Sequence, residues 1–168
     1  RTRSTREATP RDAIVPPGIL VLAALLLFTA QAIAQDWRQT GAPTNFWRSI
    51  ANSADGTKLV AVSGVGLIHA STNSGIDWNA TSAPDKFWSN LASSADGTRL
   101  LALGSDYYFV TNGFDIYTLL TTSRIYTSSN SGANWISRSG VPANASWTSA
   151  AASADGFKLA VCSTTSIY

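Results

Sequence analysis

Phe46-Trp47-Arg48-Ser49-Ile50-Ala51-Asn52-Ser53-Ala54-Asp55-Gly56-Thr57-Lys58-Leu59 decides the fold, because the chain writes this stretch more than once. It returns as Phe87-Trp88-Ser89-Asn90-Leu91-Ala92-Ser93-Ser94-Ala95-Asp96-Gly97-Thr98-Arg99-Leu100. From Trp147 it returns again, through Ser153-Ala154-Asp155-Gly156-Phe157-Lys158-Leu159. Asp55 and Asp96 are 41 residues apart, whereas Asp96 and Asp155 are 59 apart, so the second unit carries an excess of 18 residues. A second motif is interleaved with the first: Ser71-Thr72-Asn73-Ser74-Gly75-Ile76-Asp77-Trp78, then Ser128-Ser129-Asn130-Ser131-Gly132-Ala133-Asn134-Trp135. Repeats of this length are supersecondary units that bury their apolar faces by stacking on their neighbours.

Each unit reads as strands, because short β-branched and aromatic runs are bounded by Asp-Gly and Asn-Ser-Gly turn signals. The first unit is expected to hold strands near 47–53, 58–63, 67–72 and 76–81. Asp55-Gly56 between two apolar runs predicts a two-residue type I′ hairpin turn. Four short antiparallel strands in 41 residues are the dimensions of a propeller blade. The expected fold is therefore all-β, a β-propeller of four-stranded antiparallel blades with about three blades present, in units near 46–82, 87–139 and 147–168.

The interleaved motif resembles the Asp box (BNR-like repeat) of the sialidase-type β-propellers, Ser-x-Asp-x-Gly-x-x-Trp in the turn between a blade's third and fourth strands. Ser71, Gly75 and Trp78 match in one copy and Ser128, Gly132 and Trp135 in the other, while Asn73 and Asn130 stand where the pattern has Asp. Asn keeps the side-chain carbonyl that accepts loop N–H bonds and gives up the charge. The resemblance spans nearly all of 36–168. It extends to photosystem II assembly and stability factors, sortilin-type receptors and xyloglucanases, and in these families it implies a structural staple away from the active face. Propellers of the Trp-Asp repeat type share the period, but their dipeptide ends a strand, whereas Trp78 and Trp135 are followed by Asn79 and Ile136.

The phase of the repeat aligns Asp36-Trp37-Arg38 with a fourth strand and Ser166-Ile167-Tyr168 with Arg124-Ile125-Tyr126. Ring propellers take four to eight blades, so the expectation is the N-terminal part of a longer propeller. Its uncovered end faces predict that 35–168 produced alone is poorly stable or self-associating.

Ahead of the repeats, Arg-rich residues 1–12 are followed by the apolar run Gly18 to Ala30 and by Ala32-Ile33-Ala34. This is the order of an export signal over 1–34, with a cleavage site before Gln35. The run is shorter than the ~20 residues needed to span a bilayer. The expected mature protein, 35–168, is secreted or periplasmic and keeps no stable membrane anchor. The formal charge of +2 resides in this leader, and the remainder carries eight Lys and Arg against eight Asp. A neutral body with no basic patch argues against nucleic acid as a partner. A single Cys (Cys162) and a single His (His69) exclude a disulfide framework and paired-ligand metal motifs. No metal, cofactor or catalytic constellation is implied.

Residues that recur at one repeat position mark scaffold. Asp55, Asp96 and Asp155 are read as turn formers, the Trp residues as packing, and His69, which takes the place of Tyr126, as a packed aromatic substitute. The non-repeating excess is the informative departure. Residues 104–122 read as strand, Asn112-Gly113 turn, strand, which predicts an extended hairpin between the second and third strands of the second unit. Tyr107, Tyr108, Phe109, Phe114 and Tyr117 make it a candidate binding element, with packing on a neighbouring unit or subunit as the other reading. The functional expectation is an exported, non-enzymatic binding or assembly-scaffold protein with a protein or glycan ligand. Its alternatives are a sialidase- or xyloglucanase-like glycoside hydrolase with catalytic residues outside this segment, and a surface adhesion module. Sialidase chemistry needs a Glu partner, which 35–168 lacks. Apart from Asp36 at the mature start, Asp85, Asp106 and Asp115 are the carboxylates outside the motifs, and they have no spacing that implies a paired site.

Overall fold

The computed structural model describes residues 37–113, 115–142 and 145–168; the leader expected over 1–34, and Phe114, lie outside them. The described chain is all-β. β1 (Trp47–Asn52), β2 (Leu59–Ser63), β3 (Ile68–Ser71) and β4 (Asn79–Ala80) form one antiparallel sheet in chain order. β5 (Phe87–Ser93), β6 (Leu100–Asn112), β7 (Asp115–Ser128) and β8 (Ile136–Arg138) form a second. β9 (Trp147–Ala152) pairs with β10 (Leu159–Ser163), and the last residues return along β10: Val161 and Tyr168 exchange both backbone hydrogen bonds at 3.0 and 2.9 Å.

The sheets stack through their apolar faces. Val60, Val62 and Ile68 of the first sheet share a buried cluster with Trp88, Leu91, Leu100, Ala102 and Tyr126 of the second. Leu101, Leu103 and Ile125 of the second sheet meet Trp147 and Val161 of the third in the same manner. Successive side chains on a strand point to opposite faces, so the unbroken run Leu100-Leu101-Ala102-Leu103 fits a strand buried on both sides. Each first strand bulges directly after its Trp, at Trp47/Ser49, at Trp88/Asn90 and, opposite Cys162/Ser163, at Ser149/Trp147. Such bulges increase the local twist.

The Asp-Gly turns differ from the two-residue type expected. Ser53 N–H donates to Lys58 C=O at 2.9 Å and Gly56 N–H to Ser53 C=O at 3.0 Å. Only Gly56 takes a positive φ, 70°. The loop is therefore a tight turn followed by a left-handed Gly. The reason is the Asp55 carboxylate, which accepts from Ser53 Oγ, from Thr57 N–H at 3.0 Å and from the Thr57 hydroxyl at 2.9 Å. Asp96 repeats the arrangement with Ser94 and Thr98. Asp155 repeats it with Ser153 and the Phe157 N–H alone. These donors hold Asp55 down at about 2, the Ser53 hydroxyl contributing most, and they lower Asp96 and Asp155 as well.

Two further expectations are corrected. The fourth strand begins at Asn79 and not at 76, because Gly75 to Trp78 is held in the preceding loop. Trp37 and Arg38 belong to no strand, since among the described residues no third strand lies beside them. The segment after them instead packs on the first sheet, with Gly41 N–H donating to Gly75 C=O at 3.2 Å.

Candidate functional site

The two interleaved motifs sit between third and fourth strands, and each closes on itself. Ser71 Oγ accepts from Gly75 N–H at 2.9 Å and donates to Asn73 Oδ1 at 3.0 Å, and that oxygen also accepts from Asp77 N–H at 2.9 Å. Ser128, Gly132, Asn130 and Asn134 make the same bonds at 2.9, 3.0 and 2.8 Å. Ser74 and Ser131 take positive φ of 58° and 55° ahead of left-handed Gly75 and Gly132, a strained path that these bonds stabilise. Asn73 gains something an Asp there would lose: its Nδ2 donates to Asp77 Oδ2 at 2.8 Å, where two carboxylates would repel. Trp78 Nε1 donates to Gly75 C=O and Trp135 Nε1 to the Thr81 hydroxyl. Each loop also docks on the Asp-Gly turn of its own sheet, through Ser74 N–H to Thr57 C=O and Ser131 N–H to Thr98 C=O, both 2.9 Å.

Aromatic packing repeats with the same regularity. Trp47 meets His69 edge-on at 5.4 Å and Trp78 at 6.4 Å, while Trp88 meets Tyr126 at 5.1 Å and Trp135 at 6.5 Å. His69 thus occupies the packing place of Tyr126. Its buried Nδ1 has no hydrogen-bond partner among the described residues.

The hairpin is where the repeat breaks. β6 and β7 pair continuously from Leu100↔Ser128 to Asn112↔Asp115, so the insertion lengthens two existing strands and adds no separate element. The chain reverses one residue later than an Asn112-Gly113 central pair predicts, with Gly113 at φ 68° just past the Asn112↔Asp115 pair. A bulge between Ser105 and Tyr107 separates a buried base from an exposed extension. Among the described residues neither outer edge of the extension is paired: β5 reaches Ser105 and β8 reaches Ile125.

Polar contacts anchor the base. Lys86 pairs with Asp106, and the Tyr107 hydroxyl donates to Asp85 Oδ1 at 2.9 Å. Partial burial, then the hydrogen bond and charge of Asp85, push the Tyr107 phenol up. Asp85 and Asp106 therefore serve as anchors. Beyond the base, Tyr108, Phe109, Ile116, Leu119 and Leu120 are exposed, Phe109 at 60%. Tyr107 and Phe109 stack edge-on at 5.6 Å. Tyr117 lies in β7 opposite Val110 in register. Thus Tyr107 is an anchor, Tyr108 and Phe109 are surface, and Phe114 lies outside the described residues. Ile116 and Leu120 share one face of β7 and Leu119 lies on the other, so no apolar-polar alternation marks all three, and the sequence singles out only the aromatics of this segment.

A separate cleft of about 640 Å³ opens on the first sheet, lined by Trp47, Arg48, Ile50, Leu59 and Trp78 among others. Among the described residues no three His, Cys, Asp or Glu side chains converge as metal ligands, and no helix is long and apolar enough to cross a membrane. No protein-family model matches the chain, and no curated protein matches it significantly.

Proposed function

We propose that this chain is an exported binding or assembly-scaffold protein, built as an Asp-box β-propeller and recognising its partner through the β6–β7 extension. The observation that carries the reading is the contrast in exposure within one element. Leu100 to Leu103 are buried, whereas Tyr108, Phe109, Ile116, Leu119 and Leu120 stand in solvent on strands whose outer edges pair with no other described residue. The register puts Phe109, Ile116 and Leu120 on one face of the hairpin and Tyr108 and Leu119 on the other, and exposed apolar side chains on a projection from a packed scaffold support an interaction site. An unpaired strand edge adds backbone groups for a partner.

The propeller reading is supported by the in-order antiparallel sheets and by the turn-to-turn bonds that run Ala54 N–H to Ala95 C=O and Ala95 N–H to Ala154 C=O, at 2.7 and 2.8 Å. Asp85 and Asp106, engaged by Tyr107 and Lys86, are arranged as anchors and not as a carboxylate pair flanking a sugar. The test compares capture of extracytoplasmic ligands by the full chain, by Phe109→Asp, and by a variant with Tyr108–Tyr117 replaced by a short Asn-Gly turn. Folding is checked by circular dichroism. Loss of capture by both folded variants is expected. Equal capture by all three removes the hairpin as recognition element, and hydrolysis of a glycan replaces the scaffold reading with a hydrolase.

A further inference from the structure

Asn112-Gly113 is the single Asn-Gly pair in the chain, and it stands at the far end of the projecting hairpin. An Asn followed by Gly is open to an intramolecular reaction. The backbone nitrogen of the Gly attacks the side-chain carbonyl carbon, a C–N bond forms as the bond to Nδ2 breaks, and ammonia leaves. Water then opens the cyclic imide at either carbonyl, giving an aspartyl or an isoaspartyl linkage, and no oxidant or cofactor is consumed. The reaction needs an untied side-chain amide, an untied N–H on the next residue and a backbone free to rotate the two together.

The chain supplies its own comparison, because Asp-Gly and Asn-Ser pairs can form the same ring and here they are held. At Asp55-Gly56, Asp96-Gly97 and Asp155-Gly156 the Gly N–H donates to Ser53, Ser94 and Ser153 C=O at 3.0, 3.0 and 2.8 Å. Each of these carboxylates also accepts from the Ser hydroxyl two residues before it. At Asn73-Ser74 and Asn130-Ser131 the side-chain oxygen accepts from Asp77 N–H and Asn134 N–H at 2.9 and 2.8 Å, while the Ser N–H donates to the neighbouring turn. Asn52 Nδ2 donates to Ser53 C=O at 2.6 Å, and Ser53 N–H donates to Lys58 C=O. Asn112 differs on every count. It is exposed, and among the described residues neither its side-chain amide nor the Gly113 N–H has a hydrogen-bond partner. Gly113 has nothing within 4 Å of an added Cβ. Since β6 pairs with β5 only as far as Ser105, the tip can open without unfolding the scaffold.

We infer that Asn112 is a modification site, one that deamidates in the folded chain and so limits the lifetime of the recognition surface. Residue 112 pairs in register with Asp115, so the aspartyl product sets like charges opposite one another, which destabilises a strand pair. The isoaspartyl product lengthens the main chain by one carbon and shifts the side-chain alternation on which the register depends. Either change loosens the turn that keeps Tyr108 opposite Leu119 and Phe109 opposite Thr118. The consequence for capture rests on the hairpin reading; the modification itself does not.

The test incubates the full chain in mildly alkaline buffer, folded and in urea, and maps the products by peptide mass and isoaspartate detection. At Asn112 the folded rate is expected to lie within a few-fold of the rate in urea, whereas at Asn73, Asn130 and the Asp-Gly pairs folding is expected to slow the reaction by orders of magnitude. Protection of Asn112 as strong as theirs overturns the inference. Capture by the aged chain is expected to fall with the fraction converted, and Asn112→Gln, incubated alike, is expected to keep whatever capture it showed when fresh. Undiminished capture by the converted chain, or an equal fall in the Asn112→Gln variant, overturns the claim on lifetime. A fresh, unmodified chain that captures nothing counts against the hairpin as recognition element and leaves the mapping result standing.

Discussion

The first and second sheets are built from nearly the same sentence and differ at one connection. Between β2 and β3 the chain turns within Gly64 to Leu67, and Gly66 C=O accepts the indole N–H of the next sheet's Trp88 at 2.9 Å. Between β6 and β7 it runs out to Asn112 and back. Among the described residues no partner reaches the buried Trp147 Nε1. The second connection has exchanged a packing contact for projecting surface. Scaffold and candidate site are thereby separable within β6 and β7, since Leu100 to Leu103 are buried in the repeat and Tyr108, Phe109, Ile116, Leu119 and Leu120 are exposed beyond it.

The largest expected effect tests the packed side. Trp88 is fully buried, so Trp88→Ala should cost about 3–5 kcal/mol in urea unfolding. Trp47→Ala, its counterpart at the uncovered end, should cost about 1–2 kcal/mol. Equal losses would dissolve the distinction between a covered and an open sheet. Next comes Gly104, which pairs with Trp88 in register and where an added Cβ would lie 2.6 Å from the indole. Gly104→Ala should cost about 1–3 kcal/mol through overpacking, although the first sheet carries Ser63 at that position.

The turn carboxylates sharpen the comparison by pH. Asp55 is held at about 2 in the fold against 3.8 for the free group, so the stability it contributes is whole above about 3.8 and is lost as pH falls toward 2. Unfolding midpoints measured from pH 5 to pH 2 should decline for the unmodified chain. They should decline less for Asp55→Asn, and an unchanged slope would contradict the hydrogen-bonding account of these turns. The smallest stability effect is expected at the extension. Replacing Tyr108–Tyr117 by a short turn should change stability by less than about 0.5 kcal/mol, because those residues complete no sheet.

Much of the scaffold was legible because its signals are local and repeated. The apolar run from Leu59, the Asp55-Gly56 punctuation and the Ser71 to Trp78 motif locate strands and loops to within two or three residues. Turn type was not legible, because Asp-Gly alone does not reveal that Ser53 and Thr57 direct three donors onto the Asp55 carboxylate. The hairpin was visible as an interruption of the period. Its division into anchor and surface was not, since the partners of Tyr107 and Asp106 come from Asp85 and Lys86, which precede a different strand. The open cleft beside Trp47 escaped for a similar reason: repetition shows that a residue packs, and not whether its neighbour is present.

Native-state hydrogen exchange along β6 and β7 tests the central claim most directly, because one pair of strands holds both behaviours. Amides of residues 100–104 and 124–128 should exchange only through global unfolding, while those of 107–112 and 116–120 should exchange through local opening, orders of magnitude faster. Protection that continues undiminished from Leu100 to Asn112 in the isolated chain would mean that the extension is packed structure, and would contradict its assignment as free recognition surface.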